Sequence, residues 1–464
     1  MTDTLGNNQP RPRPTRIVVL GGGIGGLAAT RKLDQLFRNR NGVEVTLVSR
    51  DNFVQLSPLL FEACSGVLEL RHSAQPIRPT LDRARFVEAT VDAVDVENRV
   101  VRATAPGRHY EIPYDHVVVA LGATTNMSLI PGSAFARTFK TAADALLLRN
   151  HFIERFERAD VETDPRRRQQ LLTVAVIGGG LVGVELLGEL TAFADDVLRY
   201  YPRIRRDEMQ FQLFEVSDRL LRESTPALGE YAARVLTERG ATLHTSTPVE
   251  AIEPGRVRVR DLVVEADTIV LAAGIVPNAV AAAMTVEHDK RGRIVTDATM
   301  QSVSHPGVWA IGDCAAIPGP DGQPYPALAQ HALREARAVA QNVYAVVSRL
   351  APSPFVFRSL GTMAAFGHSD AAAEVRGIRF TGFFAWWLRR TYYLFQMPRW
   401  DRRLRIALDW TIALFFRPDL TKVELAAEYE RERENCPAGA LADGVQPNED
   451  VQDVAAERVK VLVG

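Results

Sequence analysis

The chain has 464 residues, a formal net charge of −1, and a composition that is 46% hydrophobic and 24% charged. That length exceeds one ordinary core, so a folded globular protein of two or three domains is expected. A near-neutral balance creates no basic field, and no motif reads RNA or DNA, so nucleic acid is not an expected partner. The three cysteines, Cys64, Cys314 and Cys436, lie far apart, which argues against a disulfide framework or a metal cluster and suits a reducing compartment.

Residues 1–14 are polar, contain prolines and lack an apolar stretch, so they read as a disordered arm rather than a signal peptide. The β-branched run Arg16-Ile17-Val18-Val19-Leu20 then enters Gly21-Gly22-Gly23-Ile24-Gly25-Gly26, and helical apolar spacing follows from Leu27 to Phe37. This order suits a dinucleotide. Gly21 permits the tight turn, Gly23 lets backbone approach a pyrophosphate, and Gly26 lets helix and strand pack closely, with Gly25 in the same loop. The helix N-terminus supplies free N–H groups and positive dipole.

The second strand, Val43 to Val48, should end in an acid that grips a ribose diol, but the position holds Ser49, followed by Arg50. Serine can still bond a hydroxyl; Arg50 either stacks on adenine or is a solvated loop residue. Tyr114 to Ala123 reads as a buried strand ending in a small-residue turn at Gly122. Asp164 to Arg168 reads as a solvated interdomain loop.

A second fingerprint follows the strand Thr173–Ile177, with Gly178, Gly180 and Gly183 in the same spacing and a helix over Val184–Phe193. Its second strand, Phe211–Phe214, ends at Glu215, a carboxylate able to accept both ribose hydroxyls of NADH and to repel the extra phosphate of NADPH. Val216 is apolar, while Arg219 and Arg222 keep an NADPH reading open. Glu185, expected in the first helical turn, either complements the helix dipole or faces the nicotinamide. Asp267 to Gly274 reads as another buried strand with a small-residue end, and Ile275 to Asn278 as a turn. Val308 to Ile311 then ends in Gly312-Asp313, the second half of an FAD site if the acid reaches a sugar-like chain, or an ordinary helix N-cap if it does not. Cys314 reads as a small core residue. Neither Cys-x-x-Cys nor Cys-x4-Cys occurs, which leaves a bound flavin, rather than a dithiol, as the electron relay.

Together these segments resemble the two-dinucleotide flavoprotein reductases, and among them the type II NADH dehydrogenases, single-chain NADH:quinone oxidoreductases, from about Arg16 to Leu420. The more specific matches are Ser57-Pro58-Leu59-Leu60-Phe61-Glu62 with Pro76-Ile77-Arg78, Gly183-Val184-Glu185-Leu186, Ala272 to Asn278, and Ala329-Gln330-His331-Ala332-Leu333-Arg334-Glu335-Ala336 with Leu360 to Ala364. In that family an Ala-Gln-x-Ala-x-Gln helix start lies beside the flavin and lines a quinone tunnel. Ala329, Gln330 and Ala332 match it; the second glutamine is Arg334 here, which leaves the acceptor open.

The resemblance implies an α/β fold of two Rossmann-like domains: an FAD domain over residues 15–135 and 292–350, and an inserted NADH domain over 136–291. Hydride would pass from NADH to FAD, then two electrons to a membrane quinone without proton pumping, with Glu185, Gln330 and Glu335 as candidates to position quinone or supply protons. The rival reading is a soluble NAD(P)H-flavin reductase serving a ferredoxin or rubredoxin.

Residues 355–425 are aromatic and arginine-rich around 383–416, where four of the five tryptophans fall. No run there approaches the roughly 20 apolar residues needed to span a bilayer. Helices lying in the membrane interface are expected, as in the family, on the cytoplasmic side of the cell membrane. A homodimer contact or a core helix pair with snorkelling arginines are the alternatives. Residues 426–464 read as a polar acidic tail.

Overall fold

The computed structural model describes residues 13–422 apart from 261, 368 and 398. The acidic tail, Cys436 and nearly all of the N-terminal arm lie outside the described residues. In chain order the helices are α1 (Ile24–Phe37), α2 (Leu60–Cys64), α3 (Ala142–Val161), α4 (Pro165–Leu171), α5 (Leu181–Val197), α6 (Pro226–Glu238), α7 (Ala279–Ala282), α8 (Ala329–Val347), α9 (Gly382–Gln396) and α10 (Trp400–Phe415).

Two compact units divide the chain. The first takes residues up to Val54, Pro76–Thr124 and Val276–Ser359; the second takes Gln55–Gln75, Thr125–Ile275 and the residues from Leu360 on. In the first, a parallel sheet runs in the order Val308–Ala310, His116–Val119, Thr15–Leu20, Val43–Ser49, Arg85–Glu88. In the second, the order is Arg137–Thr138, Thr268–Leu271, Thr173–Ile177, Gln210–Phe214, Ala241–His244, again all parallel. Each glycine-loop strand is therefore central in its own sheet. All five residues of Thr173–Ile177 are buried, as parallel strands covered on both faces require. The internal repeat expected from the two fingerprints is thus present in the architecture.

The unit borders differ from the expected ones in four places. Residues 55–75, expected in the FAD domain, pack with the second unit, where Leu60 and Phe61 join its core. Residues 276–291 pack with the first unit, because Ala281 and Met284 join its core. Residues 125–135 pack with the second, where Ile130 clusters with Ile177 and Leu271. The C-terminal region is no separate module: Met397, Ile406 and Trp410 share a cluster with Leu59 and Leu68, within the second unit. Two local readings also change. Asp164 to Arg168 is not a loop. Asp164 caps α4, Pro165 opens it, and Arg167 and Arg168 pair with Asp267 at 3.0 Å and Glu208 at 2.9 Å. Ile275–Pro277 forms a short strand rather than a turn.

Candidate active site

In the first unit the glycine loop closes on backbone. Gly21 has φ +99°, and its N–H donates to the carbonyl of Val48 at 2.8 Å. A Cβ on Gly26 would lie 1.8 Å from the Gly21 oxygen, so only glycine lets α1 meet its strand. Gly23, the N-cap of α1, has open space where a Cβ would sit; no side chain caps the helix and its first turn carries no acid. The loop is therefore a cradle of free N–H groups with room for a phosphate, which fits the pyrophosphate of FAD. Gly25 does different work. A Cβ there would lie 3.6 Å from Ala332 on α8, so the residue serves helix packing. Ser49 is buried against the loop, its hydroxyl 2.5 Å from where a Gly22 Cβ would stand. Arg50 is exposed and paired with Asp51 at 3.2 Å, in line with the solvated-loop reading. Gly122, with φ +68° and open space around it, ends the neighbouring strand.

Gly312-Asp313 lies in a tight turn, Gly312–Cys314, that runs on into the strand Ala315–Ala316. No helix follows, so Asp313 is not an N-cap. Glu335 reaches this turn from α8, its carboxylate accepting the N–H of Gly312 at 2.7 Å. Burial, opposed by that N–H and helped by Asp313, pushes the Glu335 carboxyl up to about 7. At the head of α8, Ala329 is exposed and Gln330 half-buried, with its amide on the Ser359 hydroxyl at 2.9 Å. Arg334 folds back: it donates to the Gln330 carbonyl at 2.8 Å and stacks on Phe357 at 4.5 Å. Cys314 is buried with its thiol on the carbonyls of Ile311 and Val119, as a core residue.

The second unit repeats the loop closely. Gly178 has φ +115° and donates to the Phe214 carbonyl at 2.8 Å, and a Cβ on Gly183 would lie 1.9 Å from the Gly178 oxygen. Gly180 is the N-cap of α5. Glu215 ends the second strand with its carboxylate fixed by two backbone donors, Gly179 N–H at 2.6 Å and Ser217 N–H at 2.7 Å. Each oxygen keeps lone pairs for a ribose hydroxyl. Arg219 is committed to the carbonyls of Leu221, Arg222 and Ser224, which removes it as a reader of a 2′-phosphate. Gly274 has φ +68° and packs against Leu129 and Asn126.

Glu185 requires correction. It lies beyond the first turn of α5, which holds no acid, so it does not serve the helix dipole. Its carboxylate is buried, accepts the Ala365 N–H at 2.9 Å and pairs with Arg389 at 2.8 Å. Burial raises its pKa against the pull of Arg389 and that N–H. The approach is possible because Gly188 lets the backbone of Phe366 lie on α5, where a Cβ would sit 2.6 Å away. The Leu360–Ala364 motif thus belongs beside Glu185, in the second unit.

Around it lies a cluster that sequence reading did not anticipate. Glu62 takes Arg390 at 3.1 Å and the Trp410 indole N–H at 2.6 Å, with Arg389 at 3.9 Å. Glu189, one turn after Glu185, accepts the Ser65 hydroxyl. Burial, then the nearby Glu62, pushes Glu189 up to about 7 despite Ser65, Arg390 and Arg389. Three buried acids thus face two buried arginines, and burial lifts both Glu185 and Glu189 above the ordinary carboxylate range. Arg389 and Arg390, expected among membrane-facing arginines, point inward. The available signal was Glu185 and Glu189 four apart within the mostly apolar stretch 181–194 of α5, which demands buried counter-charges.

A chain with two βαβ repeats, each opening on a glycine loop of the same geometry, has the architecture of a two-dinucleotide α/β oxidoreductase. Residues 15–336 match the model of the pyridine nucleotide-disulphide oxidoreductases, and the chain belongs to that family. Among curated relatives it is 29% identical over 418 residues to the type II NADH:quinone oxidoreductase Ndh of Mycobacterium tuberculosis, covering 86% of this chain and 88% of that protein. It is also 29% identical to the demethylphylloquinone reductase NdbB of Synechocystis, covering 85% and 95%. Among solved structures, NDH2 of Plasmodium falciparum in complex with NADH superposes with a TM-score of 0.81 at 18% identity, over 88% of this chain and all of that one. The type II resemblance seen in the motifs therefore extends along most of the chain.

Proposed function

We propose that this protein is an FAD-dependent NADH:quinone oxidoreductase. The observation that carries the reading is the pair of near-identical glycine loops ending in different strand-end residues, Ser49 and Glu215. The first loop would hold the FAD pyrophosphate through the bare N-terminus of α1, with Ser49 at a ribose hydroxyl and Asp313 at the sugar-like chain. The second would take NADH, with Gly178, Gly180 and Gly183 at its pyrophosphate and Glu215 at its ribose. When bound, FAD supplies the hydride acceptor and the two-electron donor. Gln330, Glu185 and Glu335 would position quinone or hold protons for it. Glu335 would do so through the Gly312 turn, and Glu185 within a buried cluster in which the Glu189 carboxyl is pushed up to about 7.

No described helix is long and apolar enough to cross a membrane. On α9 and α10, Phe383, Phe384, Trp387, Leu408, Ile412 and Phe415 are nonetheless all at least half exposed. An apolar surface of this kind beside inward-turned arginines suits a helix pair lying in the interface, on the cytoplasmic side where NADH is available. Replacing Phe384, Trp387 and Phe415 by serine should release the folded protein from vesicles. Binding that persists refutes the anchor.

The purified protein should be yellow, and anaerobic NADH should bleach it. A colourless protein that FAD cannot reconstitute sinks the reading.

A further inference from the structure

The N-terminus of α5 is not bare. The Leu181 N–H, in the first turn, donates to the Glu223 carboxylate at 3.1 Å, and a Cβ on Gly180 would lie 3.3 Å from the same oxygen. A negative group therefore stands on a donor that a dinucleotide pyrophosphate would use. Its placement is built. Leu221 has φ +50° and donates to the Gly179 carbonyl at 2.8 Å, which ties this loop to the glycine loop. Arg219 braces the same loop through three of its carbonyls, and a Cβ on Gly229 would meet the Leu220 oxygen at 2.4 Å, so α6 closes it from behind. Glu223 itself is exposed, so only its side chain has freedom to move. At the corresponding position of the first unit, Gly23 faces open space.

We infer that Glu223 is a counter-ligand of the second dinucleotide site: its carboxylate stands on the helix donor that the pyrophosphate would take, and must swing away for the pyrophosphate to bind there. The inference rests on placing NADH at Gly178–Gly183. A carboxylate that competes for one donor and repels an incoming diphosphate weakens binding without distorting the loop. The nucleotide stays exchangeable, which a turnover substrate needs and a resident cofactor does not.

Titration of the FAD-loaded protein with ADP-ribose, which carries the pyrophosphate without the nicotinamide, tests this directly. In both Glu223→Gln and Glu223→Ala the Kd should fall about three- to tenfold, more at low salt than at high salt. Damage to the loop can only weaken binding, so tightening is not a signature of a merely structural role. A Kd that stays the same or rises in either variant overturns the inference. Glu215→Ala, titrated alongside, separates the two levels: it should weaken ADP-ribose binding, and no change there would fault the location of the site rather than the role of Glu223.

Discussion

In the first unit Gly21 bonds to Val48 and Gly26 packs on Gly21; in the second Gly178 bonds to Phe214 and Gly183 packs on Gly178, with clash distances matching to 0.1 Å. What surrounds the loops does not repeat. One has open space at Gly23 and a serine at the strand end, whereas the other has Glu215 fixed by two N–H groups and Glu223 on the helix donor. On the proposed assignment the same backbone device would serve two kinds of occupancy, with the side chains at its rim deciding whether a dinucleotide is kept or exchanged.

The sharpest way to break that comparison is to spoil each loop in turn. Gly26→Ala and Gly183→Ala introduce equivalent clashes, so each should weaken its own ligand by about 10- to 100-fold. Gly26→Ala should yield colourless protein. Gly183→Ala should stay yellow while its KM for NADH rises. Loss of flavin from both variants would show that the loops do not divide the labour.

A second contrast lies in the buried acids, Glu335 on α8 and Glu189 on α5. Glu189 rises from its ordinary 4.5 to about 7 on folding, so the native state binds more protons than the unfolded chain between those values. Stability from this group is therefore complete below about pH 4.5 and is lost as pH rises through 7. Glu189→Gln, which keeps an acceptor for Ser65, should be more stable than the parent at pH 8 by about 1 to 3 kcal/mol, with the difference gone near pH 5. Denaturation curves at the two pH values measure it; a pH-independent difference would mean that Glu189 stays ionised.

The strand-end residues should give the smallest effects, and unequal ones. Glu215→Ala should raise the KM for NADH about tenfold, with little change in kcat, and narrow the preference over NADPH. Ser49→Ala should alter FAD retention less than about threefold. Steady-state kinetics and flavin release measure both, and equal losses would remove the distinction between the sites.

The two sheets, the fingerprints and Glu215 were legible in the sequence, because strand, glycine spacing and strand-end acid are local patterns. Glu185 was picked out but set in the first helical turn, and its partners Ala365 and Arg389, about 180 and 200 residues on, are revealed by no local pattern. The arginines of α9 were read only as part of an arginine-rich region, with interfacial helices expected and a core helix pair left as an alternative. The buried Glu62 and Glu185, with the Pro58 carbonyl, hold them inward. Glu223 carries no motif at all; its meaning comes from a loop that Arg219 folds back onto the helix.

The central claim is electron flow from NADH through flavin to quinone. In an anaerobic stopped-flow experiment, stoichiometric NADH should bleach the bound flavin in one phase, and a menaquinone or ubiquinone analogue added next should restore its absorbance within the turnover time. Flavin that NADH leaves oxidised, or that is reoxidised by a ferredoxin but not by either quinone, would contradict it.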